Sequence, residues 1–220
     1  MKMIAIAIAT VIAAYLIGSI NFAVIFTKLF TKRDVRDFGS GNAGTTNVMR
    51  VGGFKAGALT FIFDALKGYA ACMLGKLVFD YIANTEPAVW ALPIYGAYIC
   101  GVACMLGHVF PIFFRFRGGK GVATSVGIFA VCCPIAIISG LACFALLLLI
   151  SKIVSLSSLA ATIVVVVLSC VLAKTDGGAH VLPQIIMSVA MGTIVYTKHI
   201  SNIKRLIKGE EKKIGRKKNG

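Results

Sequence analysis

Charge is scarce in this chain, and negative charge most of all. Only 14% of the 220 residues are Asp, Glu, Lys or Arg, and 8 acidic residues stand against 23 basic ones. A soluble domain carries about a quarter charged residues, so this composition excludes one; hydrophobic residues make up 58% of the chain. With so few carboxylates, and no acidic pair within an apolar run, no ligand set for a divalent metal is implied. Cys-x-x-Cys spacing with a nearby histidine is also missing. The seven cysteines (72, 100, 104, 132, 133, 143 and 170) lie almost all inside apolar runs, where they act as small hydrophobes rather than zinc ligands. Internal repeats and low-complexity stretches are lacking apart from a Lys-rich end, and no soluble basic domain exists to bind nucleic acid.

Long apolar runs are what the chain has instead. They cover residues 3–29, 54–81, 88–106, 122–150, 156–173 and 181–197, and a membrane span needs about 20 apolar residues. The first run is too long for a cleaved leader and no small-residue cleavage site follows it. The net charge of +15 is clustered. One group (Lys28, Lys32, Arg33, Arg36, Arg50, Lys55) lies between the first two runs, and a second (Arg115, Arg117, Lys120) follows the third. The third group is the tail: Lys198, Lys204, Arg205, Lys208, Lys212, Lys213, Arg216, Lys217 and Lys218. The positive-inside rule puts all three in the cytoplasm. That requires run 122–150 to cross twice, turning at Pro134 behind Cys132 and Cys133. Its arms, about 119–133 and 134–150, are short for spans. The expectation is an all-α integral membrane protein: seven transmembrane helices over residues 1–220, N-terminus outside, C-terminus cytoplasmic, with no separate soluble domain.

The polar residues between the runs carry the chemistry. Gly39-Ser40-Gly41-Asn42-Ala43-Gly44-Thr45-Thr46-Asn47, followed by Arg50, combines glycines that let backbone N–H groups converge with hydroxyl, amide and guanidinium donors. An ordinary turn linking two helices rarely needs so many small and amide residues. The second segment is Arg117-Gly118-Gly119-Lys120-Gly121, behind an aromatic stretch that runs from His108 to Phe116. The aromatics suit headgroup depth, and Gly-Gly-Lys-Gly before a helix aims N–H groups and an ammonium at one point. It is not a Walker loop, since the spacing before the lysine fails. A snorkelling lysine is the alternative for Lys120.

Weaker signals lie elsewhere. Asp64 and Lys67 are three residues apart within the second run, hence on one helix face. They either pair for structure or bring Lys67 towards the cytoplasmic site. In the segment 152–158, Ser155 or Ser158 reaches a ligand or caps a helix. Asn21 is expected to bond between helices. After the last run, Ile200, Ile203, Leu206 and Ile207 have the period of a helix lying on the membrane surface. His199 and Asn202 share one face of it without helping it anchor.

Together these segments resemble the bacterial acyl-phosphate-dependent glycerol-3-phosphate 1-acyltransferases (the PlsY family). The first, 39–50, has the form GSGNxGxTNxxR. The second runs from Gly107-His108-Val109-Phe110-Pro111 to Gly118-Gly119-Lys120-Gly121-Val122-Ala123-Thr124. The third comprises His199, Asn202-Ile203, Arg205-Leu206, Gly209, Glu211 and Lys212. Thr45 departs from the family's usual Ala without removing a donor. The resemblance implies transfer of a fatty acyl group from acyl phosphate to the 1-hydroxyl of glycerol 3-phosphate. The products would be lysophosphatidic acid and phosphate, the first acylation of phospholipid synthesis in the cytoplasmic membrane. It implies no cofactor, no nucleic-acid partner, and a cytoplasm-facing site in contact with membrane lipids.

By that resemblance Ser40, Arg50 and Lys120 hold a phosphate with help from Ser155 or Ser158. The turn residues Gly41, Asn42, Gly44, Thr46, Asn47, Gly118 and Gly119 shape the binding surface. Lys67, His108, His199, Asn202 and Glu211 orient glycerol phosphate, and His199 or a substrate phosphate oxygen takes the proton. A mixed anhydride already has a good leaving group, so positioning and charge neutralisation suffice without a nucleophile–base triad. Acyltransferases built on His-x4-Asp are excluded: the residues five beyond the three histidines are Phe113, Ile185 and Lys204. A channel for a phosphorylated solute would put polar groups along a whole path, and a non-catalytic membrane subunit would leave the first segment unexplained.

Overall fold

A computed structural model describes residues 1–86 and 89–214, so the expected cytoplasmic charges Arg216, Lys217 and Lys218 lie outside the described residues. The described chain is helical: α1 (Lys2–Ser19), α2 (Phe22–Thr31), α3 (Thr45–Thr85), α4 (Pro93–Val109), α5 (Val122–Cys132), α6 (Pro134–Ser151), α7 (Val154–Asp176), α8 (Val181–Lys198) and α9 (Ile200–Ile207). Six helical stretches are long and apolar enough to cross a membrane, α1 and α2 counting as one, while α5 is apolar but only 11 residues long.

Two breaks depart from the hydropathy pattern. The first run, expected to be one helix, is interrupted at Ile20, where the backbone turns extended (ψ 114°). Asn21 restarts it, accepting from the Val24 N–H at 3.2 Å as the N-cap of α2. That corrects the expected interhelical role of Asn21: the freed N–H groups of a new helix are the nearer donors. The second break is at Gly53 (φ 83°, ψ 175°), which bends α3 and lets it begin as early as Thr45. Thr45, Thr46, Asn47 and Arg50, expected in a loop, therefore ride on a helical first turn. The run 122–150 does break where proline requires it: Cys133 leaves the helix (φ −158°, ψ 78°) and Pro134 opens α6.

In lipid there is little hydrophobic drive between helices, so close backbone approach and polar contacts hold them. Gly75 of α3 faces Gly96 of α4, and a Cβ on either would run into the other's carbonyl. Away from the loops that carry the site, a buried polar network joins three helices. Tyr98 Oη donates to Gln184 Oε1 (2.9 Å), Gln184 Nε2 to the Ser169 carbonyl (3.1 Å), and Ser169 Oγ meets Ser188 Oγ (2.8 Å). Both devices leave the loops at the opposite end free to be polar.

Candidate active site

At one end of the bundle the loops enclose a cavity of about 440 Å³. Three helix N-termini face it: Gly44–Asn47 at the start of α3, Gly121–Ala123 at the start of α5, and Val154 and Ser155 at the start of α7. Each brings unpaired N–H groups and the positive end of a helix dipole. Arg50, Lys120, Lys198, Arg205 and Lys212 add five cations, opposed by Asp64 and Glu211. Such a field suits a ligand with more than one anionic group.

The first turn is built by its own backbone. Gly39 and Gly41 take positive φ (67° and 68°), and Gly41 N donates to the Phe38 carbonyl at 3.0 Å. Asn47, fully inside, holds this turn from below. Its Oδ1 accepts from Ser40 N (2.9 Å), and its Nδ2 donates to the carbonyls of Val35 (3.0 Å) and Phe38 (2.9 Å). Asn47 was expected to bind substrate; its amide is spent on the backbone, which presents Ser40, Gly41 and Asn42 to the cavity.

The second turn hangs on His108. Gly119 N donates to the His108 carbonyl (3.2 Å), and a Cβ at Gly119 would run into the imidazole. Gly118, Lys120 and Gly121 border the cavity, whereas Gly119, expected there, lies behind against His108. The Lys120 ammonium donates to Asn202 Oδ1 from α9. Burial pulls the Lys120 pKa down to about 8, with Glu211 opposing the shift. Asn202 Nδ2 in turn donates to Glu211 Oε1 (2.8 Å), and Arg205 Nε to Glu211 Oε2 (2.7 Å). These two donors hold the Glu211 carboxyl below its usual range, against the raising effect of burial.

His199 is 3% exposed and opens on the cavity. Its Nδ1 lies 2.8 Å from the Val195 carbonyl, which assigns the proton to Nδ1 and leaves Nε2 an acceptor. Burial, followed by the charge on Lys120, lowers its pKa to about 4, so the ring is neutral at pH 7.

Lys67 does not reach the cavity. Its Nζ pairs with Asp64 Oδ1 (2.7 Å) and donates to the Ile20 carbonyl (2.7 Å), which the break after α1 leaves without a helical partner. This overturns a substrate-orienting Lys67. Asp64, three residues earlier, is the member of the pair that borders the cavity, beside His108 (Nδ1 to Oδ1 3.5 Å). Ser155 is the second residue of α7, behind an Ile153 cap, so it is not the N-cap; it and Ser158 both border the cavity. Thr46 and Arg50 complete that lining. Lys198 and Arg205 were missed as lining residues, although they flank His199 and Asn202 in sequence.

An apolar groove continues from the cavity, sharing Phe61, Val122, Phe144 and Ser158 with it. It runs between α5, α6, α7 and α8 and includes Phe129, Ile137, Val165 and Met191. The site thus joins an anion-binding end to a hydrocarbon-like end.

Residues 8–209 match the glycerol-3-phosphate acyltransferase family. The chain is 42% identical over 212 residues to the glycerol-3-phosphate acyltransferase of Thermoanaerobacter sp. (strain X514), covering 96% of this chain and 97% of that one. It is 41% identical over 207 residues to glycerol-3-phosphate acyltransferase 2 of Bacillus anthracis, covering 94% and 98%. Two crystal structures of PlsY (YgiH), an integral membrane glycerol 3-phosphate acyltransferase, share the fold. Its glycerol 3-phosphate form superposes with a TM-score of 0.78 at 34% identity, covering 95% of this chain and 96% of that one. Its lysophosphatidic acid form gives 0.75 at 33%, covering 95% of each. A match along this length, in sequence and in fold, means that the chain belongs to the glycerol-3-phosphate acyltransferase family.

Proposed function

We propose that this multi-pass membrane acyltransferase takes its acyl group from an acyl phosphate and places it on the sn-1 hydroxyl of glycerol 3-phosphate. The hydroxyl oxygen attacks the acyl carbonyl carbon, and the bond from that carbon to the phosphate oxygen breaks. Inorganic phosphate leaves with the electron pair and 1-acylglycerol 3-phosphate remains. The observation that carries this reading is the continuity of the cavity with the apolar groove. One compartment offers cations for two phosphates, and the other offers hydrocarbon contact for one acyl tail.

Ser40, Arg50 and Lys120 bind phosphate, assisted by Ser155 and Ser158. His108, His199, Asn202 and Glu211 orient the glycerol phosphate. His199 Nε2, left as an acceptor, or an oxygen of a substrate phosphate takes the hydroxyl proton. With a phosphate as leaving group, orientation and charge neutralisation carry the barrier reduction.

Seven crossings, with α5 as the short fourth, put every cavity-lining loop on one side of the membrane. The clustered positive charge makes that side the cytoplasm of a bacterial inner membrane, with the N-terminus outside. Purified enzyme in lipid, given palmitoyl phosphate and glycerol 3-phosphate, should release phosphate only when both are present. Equal release without glycerol 3-phosphate removes the acyl-phosphate reading. A membrane-impermeant thiol reagent applied from outside should label a cysteine placed at position 85 and not one placed at position 45; the reverse inverts the topology.

A further inference from the structure

Asp34 and Arg36 stand outside the cavity, yet their ion pair joins the segment that leads into its first glycine turn to the segment that leads into its second. The pair is two-pronged: Arg36 Nε donates to Asp34 Oδ1 (3.0 Å) and an Arg36 NH2 group to Asp34 Oδ2 (2.8 Å). Asp34 Oδ1 also accepts from the Arg36 backbone N–H (3.0 Å), capping the short turn Val35–Asp37. The remaining guanidinium nitrogen reaches across 78 positions to donate to the Phe114 carbonyl at 2.9 Å, and the guanidinium lies 5.8 Å from the Phe114 ring centre.

Each contact leads to an anion-binding turn. Val35, next to Arg36, gives its carbonyl to Asn47, whose Oδ1 holds Ser40 N. On the other side, Phe114 O also accepts from Arg117 N (3.3 Å), and Phe116 N donates to the Pro111 carbonyl (3.0 Å). The reversal at Arg115 and Phe116, both with positive φ (56° and 57°), then delivers Gly118 and Lys120 to the cavity. Arg36 ties Asp34, at the head of the first segment, to the Phe114 carbonyl of the second, and a planar fork fills these three acceptor positions on two separate chain segments. The bond to Asp34 holds the Asp34 carboxyl below its usual range and raises Arg36, so both stay charged.

We infer that Arg36 is a positioning residue for acyl transfer: held by Asp34, it sets the distance between the Ser40 turn and the Lys120 turn and so aligns the phosphate they share against the bound glycerol phosphate. The inference rests on the acyl-transfer reading of the site. A shift of about 1 Å between reacting groups is enough to cost a large factor in rate, while binding of glycerol 3-phosphate by His108, His199, Asn202 and Glu211 persists.

The test uses the full-length enzyme in lipid, following lysophosphatidic acid formation. Arg36→Gln and Arg36→Lys should both lower kcat about tenfold or more, with KM for glycerol 3-phosphate changed less than threefold and the melting temperature unchanged. Lysine keeps the charge but cannot bridge Asp34 and Phe114, so it should not rescue. Asp34→Asn should show the same loss, and the double variant Asp34→Asn/Arg36→Gln should be no slower than Arg36→Gln alone. Full rescue by lysine, or a raised KM with kcat intact, would mean that Arg36 acts as a general positive charge and would overturn the inference. So would activity that merely tracks the folded fraction, or wild-type turnover in Arg36→Gln. An inactive wild type with acyl phosphate would instead condemn the donor assignment, and the same variants are then compared with whichever acyl donor the wild type accepts.

Discussion

The Lys120 ammonium rests on the side-chain oxygen of Asn202, 82 residues further along the chain. A glycine turn and a surface helix are joined there, and the cation is partly withdrawn from water. Charge held at this depth, and already oriented, is stabilising for an anion that arrives or develops next to it. Lys120→Ala and Arg50→Ala should therefore each lower kcat/KM by about 10²-fold or more, the usual cost of losing an electrostatic stabiliser. Steady-state phosphate release decides it, and wild-type rates in both variants would empty the site of its main cations.

Lys120 also sets a pH limit. Its pKa is drawn down to about 8 by burial, so in the free enzyme its positive charge is lost as pH rises through that value. In the proposed role of Lys120 the charged form binds phosphate, so kcat/KM should fall above about pH 8. Bound phosphate favours the protonated form, so the fall in kcat should come at higher pH than the fall in kcat/KM. Arg in place of Lys120 should abolish the alkaline limb, since guanidinium stays charged. A pH–rate profile of both proteins checks this. His199, with its pKa near 4, should contribute no limb between pH 6 and 8.

Asn47 should behave as a structural strut. Asn47→Ala removes one acceptor and two donors, leaving Ser40 N and the carbonyls of Val35 and Phe38 without it. Unsatisfied buried groups cost about 1–3 kcal/mol each. Limited proteolysis should then cut within residues 35–42 in the variant and not in the wild type. Asn47→Asp, which keeps only the acceptor, should fall between them. An uncut Ala variant would return Asn47 to the ligand.

The apolar groove makes a prediction about acyl-chain length. From Val122 to Phe129 it follows α5 for seven residues, or about 10 Å. Each methylene buried there is worth about 0.8 kcal/mol, roughly fourfold in kcat/KM. Across a series of soluble acyl phosphates, kcat/KM should climb by about that factor per methylene, then level once the chain outgrows the groove. A flat response from the shortest chain onward would disconnect the groove from the tail.

Much of this architecture is legible in the sequence, and the parts that are not share a cause. Apolar runs and proline at position 134 announce helices and a turn because both act locally. Windowed hydropathy is blind to a single backbone break, so neither the interruption at Ile20 nor the bend at Gly53 could be seen. The Ile20 break is what misleads about Lys67: an intramembrane lysine beside an aspartate reads as functional until a freed carbonyl is found on its ammonium. Asn47 misleads in the same way. Its side chain has the right chemistry for a phosphate, and only the fold decides whether its donors face a ligand or the chain itself. Glycines at 75 and 96 carry no periodic signal that distinguishes helix contact from a simple gap in side chains.

The eleven residues of α5 rise about 17 Å, little more than half the hydrocarbon thickness of a bilayer. In the proposed seven-crossing topology the membrane beside it puckers, or water dips inward along its polar end. Either way the floor of the reaction chamber lies beneath the plane of the lipid headgroups. Under the proposed function, an acyl donor dissolved in the adjoining leaflet slides in edgewise, while its glycerol partner drops in from the aqueous side. On the same proposal the finished lysolipid already lies among its own kind, with no hydrophobic tail lifted into water.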